Sequence, residues 1–145
     1  MFIDSSAFIA ILTREPVHRR VATALTDARR KFTSGLVRLE TVMVAATRLN
    51  ISVEDAQTLF DDMLKEIGAV SLVPITDDIA RKAVDAFARY GKGRGHPAQL
   101  NLADCMAYAC ARAYRDPLLF VGNDFTHTDI ESVLEYPSPA QPPAP

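Results

Sequence analysis

The sequence predicts an α/β domain of three layers, with helices on both faces of a central, mostly parallel sheet of about four to five strands. Two observations carry this. Apolar runs at Met1–Asp4, Val70–Ile75 and Leu118–Val121, with a short β-compatible stretch at Lys31–Ser34, alternate with long stretches of helical periodicity, and that alternation belongs to parallel sheets built from strand–helix–strand units. The 145 residues, 48% hydrophobic and 23% charged, are enough for one core of ordinary size.

Each element has a local reason. Met1–Asp4 is an apolar run readable as a first strand, and Ser5-Ser6 offers an N-cap for a helix to Ile11 or Leu12. Pro16 suits the first turn of a second helix towards Arg30, with Val17, Val21 and Leu25 on one face. Lys31–Ser34 is short but compatible with a strand. From Leu36 to Leu49 a helix fits, with Leu36, Leu39, Met43 and Ala46 as its core stripe. Ser52-Val53-Glu54-Asp55 resembles a capping box with Asp in place of Glu, opening a helix to about Ile67. Val70–Ile75 reads as a buried strand whose pairing Pro74 limits.

Thr76-Asp77-Asp78 caps the next helix, which ends near Tyr90. Gly91-Lys92-Gly93-Arg94-Gly95-His96-Pro97 is too rich in glycine to be regular and reads as a flexible basic loop. Asn101 caps a helix through Tyr114; Leu118–Val121 is a strand, Gly122-Asn123-Asp124 a turn, and Ser132–Tyr136 a possible last strand. The last ten residues hold five of the nine prolines, so the domain is expected to span 1–136, with a disordered tail at 137–145.

Charge and cysteine content narrow the function. A net charge of −2 argues against a protein that coats nucleic acid through a basic surface, but not against a nuclease whose acidic site accepts phosphate once a cation is bound. Cys105 and Cys110 lack zinc-site spacing, as do His18, His96 and His127, so free thiols in a reducing cytoplasm are expected. No apolar run reaches the roughly 18 residues of a membrane span, and Met1-Phe2-Ile3-Asp4 does not open a secretory signal.

Parallel sheets place their ligand site beyond the carboxyl ends of the strands. Asp4 ends the first strand, Asp124 follows the strand Leu118–Val121, and Asp104 stands in the first turn of the helix capped by Asn101. Glu40 lies beside apolar Val37, Met43 and Val44, where a carboxylate needs a partner. Singly, each acid also has a structural explanation. Asp4 and Asp104 can serve a helix start, Asp124 a turn, and Glu40 an exposed helix position. Asp77-Asp78, on a helix start, is read as a cap rather than a metal pair.

Taken in order, these residues resemble the PIN domain, and within it the VapC-type toxins. The similarity runs from Met1 to about Tyr136. It is carried by Phe2-Ile3-Asp4-Ser5-Ser6-Ala7, Arg38-Leu39-Glu40-Thr41-Val42, Tyr90-Gly91-Lys92-Gly93, Leu100-Asn101-Leu102-Ala103-Asp104-Cys105, Leu118-Leu119-Phe120-Val121-Gly122-Asn123-Asp124-Phe125 and Thr128-Asp129-Ile130. Asn123 stands where many relatives carry an acid, which leaves the fourth acidic position to Asp124, with Asp129 as second choice.

The resemblance implies a magnesium-dependent endoribonuclease, with manganese as a substitute. In it Asp4 and Asp104 hold the principal ion, while Glu40 and Asp124 orient water, take its proton or hold a second ion. It further implies a homodimer and a VapB-like antitoxin that masks the site. Ser6 is a candidate donor to a carboxylate or to the scissile phosphate. Lys92 and Arg94, with His96, are candidates to grip RNA phosphates. Arg14, Arg19, Arg29 and Arg30 read as solvated helix faces.

Three rival readings fit less well. A haloacid-dehalogenase-like phosphatase needs Asp-x-Asp, and position 6 is Ser6. A phospho-accepting receiver needs a central strand ending in Asp, whereas this one ends at Pro74-Ile75. A PIN-fold module acting by protein binding alone has no support in a chain that keeps every acid.

Overall fold

The computed structural model describes residues 1–136. The tail expected at 137–145 lies outside the described residues. Among these the chain forms β1 (Phe2–Ile3), α1 (Ser5–Leu12), α2 (His18–Asp27), β2 (Lys31–Ser34), α3 (Gly35–Leu49), α4 (Val53–Ile67), β3 (Val70–Val73), α5 (Asp77–Tyr90), α6 (Leu102–Tyr114) and β4 (Leu118–Leu119). The four strands pair in the order β3-β2-β1-β4, all parallel. Phe2 stands opposite both Phe32 and Leu118, and Ile3 opposite Leu119.

The topology places the site. Crossovers step outward from β1 through β2 to β3, and the last one returns to the other side of β1. The right-handed crossover rule then covers both faces of the sheet with helices. The reversal lies between β1 and β4, and the crevice beyond their carboxyl ends is the natural ligand position.

Apolar burial fixes this arrangement. Phe2, Ile3, Leu118 and Leu119 are completely buried, as are Phe8 of α1 and Phe60 of α4, whose rings meet edge-on at 5.1 Å. Lys31, buried in β2, donates to the carbonyls of Leu25 and Ile67 and so satisfies acceptors at the ends of α2 and α4. Polar side chains start the helices at Ser34, Ser52, Thr76 and Asn101. At Ser52 only the serine half of the expected box forms, its hydroxyl accepting from the Asp55 amide at 3.0 Å.

Several expectations need correction. The cap of α1 is Asp4, not Ser5 or Ser6. The second helix begins at His18 rather than Pro16 and stops at Asp27. The expected core stripe of α3 has the wrong phase. Leu39 and Met43 are 56% and 59% exposed, while Val37, Thr41, Val42 and Ala45 are buried. Apolar residues surround this helix, so periodicity alone could not choose its inward face. β3 is an edge strand ending at Val73, with Leu72 exposed, not a buried one. Ser132 makes one parallel bridge to Leu118 and, among the described residues, no strand follows it. The basic loop is closed at its base by a bridge between Gly91 and Leu100.

Candidate active site

Asp4 leaves β1 in extended conformation and starts α1 with its own side chain. Its Oδ2 accepts from the Ser6 amide at 3.0 Å and from the Ser6 hydroxyl at 2.5 Å. The same hydroxyl oxygen accepts from the Val121 amide at 3.0 Å, which ties the end of β4 to the start of α1. Of the two acceptors the sequence offered for Ser6, a carboxylate or the scissile phosphate, its hydroxyl here takes the carboxylate of Asp4. This also leaves position 6 without the free acid/base that a phosphatase of the rival type needs.

Asp104 is built the same way. Asn101 Oδ1 accepts from the Asp104 amide and Asp104 Oδ2 accepts from the Asn101 amide, both at 2.9 Å, completing a reciprocal capping box. Each of these two acids thus uses Oδ2 to hold the backbone. The Ser5 amide adds a further backbone bond to the Asp4 carboxylate.

The acids converge. Asp4 and Asp104 are 4% and 8% exposed. Burial is the main force that lifts the Asp4 carboxyl to about 6, opposed by the Ser6 bonds and assisted by the charge of Glu40. Burial likewise leads for Asp104, at about 7, with Asp4, Asp124 and Glu40 adding repulsion against the Asn101 bond. Glu40 is half-buried on the second turn of α3, which follows β2 directly; Asp124 is exposed on the turn after β4. Gly122 makes that turn possible with φ of +103°. Among the described residues no three Asp, Glu, His or Cys side chains are already gathered closely enough to form a finished cation cage.

Asp129, the second-choice fourth acid, does not join them. Its Oδ1 accepts from the Tyr108 hydroxyl at 2.6 Å, and its Oδ2 faces Arg89 at 3.2 Å and Arg112 at 3.6 Å. It does not figure among the charges acting on Asp4 or Asp104. The sequence reading missed this network, although Tyr108 stands one helical turn after Asp104 and could have been flagged by that spacing.

In the basic loop, Lys92 and Arg94 are exposed, and neither pairs with a carboxylate among the described residues. Arg94 lies over the Phe87 ring at 5.0 Å. His96 turns back instead, its ring edge on Tyr90 at 4.9 Å and its Nδ1 accepting from the Ala98 amide. Asp77 and Asp78 pair along α5 with Arg81 and Lys82, as helix-start acids should. Both cysteines are free and buried.

Four parallel strands, with carboxylates within electrostatic reach of one another where the chain reverses, define a small parallel α/β protein. Comparison with known proteins narrows this. The PIN domain family matches residues 1–131. A VapC ribonuclease of Rhizobium meliloti is 41% identical over 141 residues, covering 89% of this chain and 98% of that protein. Ribonuclease VapC28 of Mycobacterium tuberculosis is 38% identical, covering 93% and 98%. The fold is similar to the crystal structure of Mycobacterium tuberculosis VapC20, a sarcin–ricin loop cleaving toxin. There the TM-score is 0.70 at 16% identity, over 89% of this chain and 95% of that one. A toxin–antitoxin complex from Klebsiella pneumoniae also matches, with a TM-score of 0.60 at 22% identity over 86% and 88%. The chain belongs to the PIN-domain family, in its VapC ribonuclease branch.

Proposed function

We propose that this protein is a magnesium-dependent endoribonuclease toxin that cuts RNA and so inhibits translation and growth until an antitoxin covers its site. The observation that carries the reading is the convergence of Asp4, Glu40, Asp104 and Asp124 at the switch point, where two carboxyls are pushed up to about 6 and about 7. Such a cluster is electrostatically incomplete. An oxygen-only donor set with two buried, mutually repelling acids suits a hard divalent cation. Manganese should substitute, because it takes the same ligands.

Asp4 and Asp104 would hold the ion through their carboxylates. When bound, magnesium would supply positive charge to the scissile phosphate and make a bound water more acidic. Glu40 and Asp124 would orient that water and take up its proton. Ser6 and Asn101 would keep the two ligating carboxylates from turning. Lys92 and Arg94 would contact phosphates along the RNA from outside the acidic centre. The pathway needs no covalent intermediate, since water is the nucleophile.

Partners follow from the family and from the surface. The resemblance to a toxin–antitoxin complex supports a VapB-like antitoxin. The exposed Leu39 and Met43 beside Glu40 leave apolar area near the site for protein contact. A homodimer is expected as well. No helix among the described residues is long and apolar enough to cross a membrane, and we place the activity in the cytoplasm.

Cleavage of RNA by purified protein, with magnesium and with a chelator, tests the reading. Linear phosphate ends that form only with magnesium are expected. Fragments ending in 2′,3′-cyclic phosphate, or cleavage that persists in chelator, would show that the ribose hydroxyl is the nucleophile and the acids are not a metal site.

A further inference from the structure

Asp124 stands exposed on a segment with no regular structure, so something must fix where its carboxylate points. Two turns shape the segment, with the Thr126 amide donating to the Asn123 carbonyl and the Thr128 amide to the Phe125 carbonyl. Phe125 anchors one side, buried against the Phe120 ring at 5.0 Å. The far side is held by Asp129. Its two oxygens take the Tyr108 hydroxyl at 2.6 Å and Arg89 at 3.2 Å, with Arg112 at 3.6 Å.

The origin of these donors matters. Tyr108 and Arg112 belong to α6, Arg89 to α5. Tyr108 is only 4% exposed and follows Asp104 by one turn on the buried face of α6. That face therefore carries a site carboxylate at its start and, one turn on, the hydroxyl that clamps the segment bearing Asp124. Arg89 also stacks on the Tyr90 ring at 4.6 Å and donates to its hydroxyl, and Tyr90 meets His96 of the basic loop. One carboxylate thus joins the Asp124 segment, α6 and the base of that loop.

We propose that Asp129 is a positioning residue: by clamping the 123–131 segment to Tyr108, Arg89 and Arg112, it holds Asp124 over Asp104. This rests on the reading that Asp104 and Asp124 serve a common cation. An ordinary surface ion pair contributes little and is readily screened. Here the neutral donor is a buried phenol, which loses its acceptor if the clamp opens.

Melting curves against manganese concentration, with kcat and KM for RNA, test the proposal on Asp129→Asn and Tyr108→Phe. Asp129→Asn should need about three- to tenfold more manganese for its half-maximal rise in Tm, below the 10–100-fold typical of groups bonded directly to a ligand. The kcat should fall by a similar factor with KM little changed. Tyr108→Phe should move both readouts the same way, and it carries the test if Asp129→Asn folds poorly. Added to Asp124→Asn, Asp129→Asn should change nothing further, because its effect runs through Asp124. An unchanged manganese requirement in both single variants, or a full second loss in the double variant, would overturn the proposal. Absence of any manganese shift in the wild-type protein would remove the shared cation itself, and the clamp's role with it.

Discussion

At the scale of single residues, one carboxylate can serve two masters. Asp4 and Asp104 start helices through Oδ2 while their carboxyls lie buried within reach of other acids. The structural explanation is met for both, and it leaves room for the proposed one. The cost lies in desolvation and repulsion, and it can be measured. A carboxyl raised above its unfolded value near 3.8 binds its proton more tightly in the folded state. The stability it lends is full below that value and is lost as pH rises through about 6 for Asp4 and about 7 for Asp104. Each pH unit of such a difference corresponds to about 1.4 kcal/mol, so the pair accounts for several kcal/mol at most. In chelator, Tm should fall between pH 4 and pH 7.5, and magnesium should remove much of the fall. Asp4→Asn should melt higher than wild type at pH 7.5 without metal and show a shallower pH slope. Identical slopes in the two proteins would mean that Asp4 is not strained. Glu40→Gln is a separate test of α3; full activity there would move that helix out of the site.

At the scale of elements, the join between α5 and the basic loop allows no side chain. A Cβ on Gly91 would sit 2.4 Å from the Phe87 carbonyl oxygen, which is backbone and cannot swing away. Gly91→Ala should lower stability by about 1–3 kcal/mol, the usual cost of overpacking, and should raise KM for RNA by displacing the loop; an unchanged melt would show that the backbone yields. Neutralising Lys92 and Arg94 together should reduce the slope of log affinity against log salt by about one to two. Turnover at saturating RNA should change less than KM, because contacts outside the reacting centre bind ground and transition states alike. An unchanged slope would make the loop a connector. Elements were legible where local chemistry decides: Asn101, Ser52 and Thr76 cap the helices the sequence marked. They were illegible where tertiary contacts decide. Apolar residues occur on every face of α3, so only packing could show that Leu39 and Met43 face outward. The Ser132 segment meets β4 at a single bridge, which no local pattern can specify.

At the scale of the whole molecule, strand order explains why acids from four distant segments come within electrostatic reach of one another. The chain reverses direction between β1 and β4, and Asp4 and Asp124 follow those two strands. Asp104 arrives in the first turn of α6 and Glu40 in the second turn of α3. Asp4, Asp104 and Asp124 were legible as candidates because strand ends and helix starts are, whereas Glu40, inside α3, was singled out by its apolar neighbours and the family resemblance. The Tyr108–Asp129–Arg89 clamp was not, since its partners lie 21 and 40 positions apart. The central claim is that this acidic crevice is a cation-dependent ribonuclease site. Its most direct test is the initial rate of RNA cleavage against magnesium concentration for wild type and Asp4→Asn, with both shown to be folded by their melting curves. A saturable magnesium dependence in the wild type, with cleavage by Asp4→Asn reduced at least about a hundredfold, the scale of losing a positioned catalytic group, is the predicted result. Near wild-type cleavage by a folded Asp4→Asn protein would contradict the account.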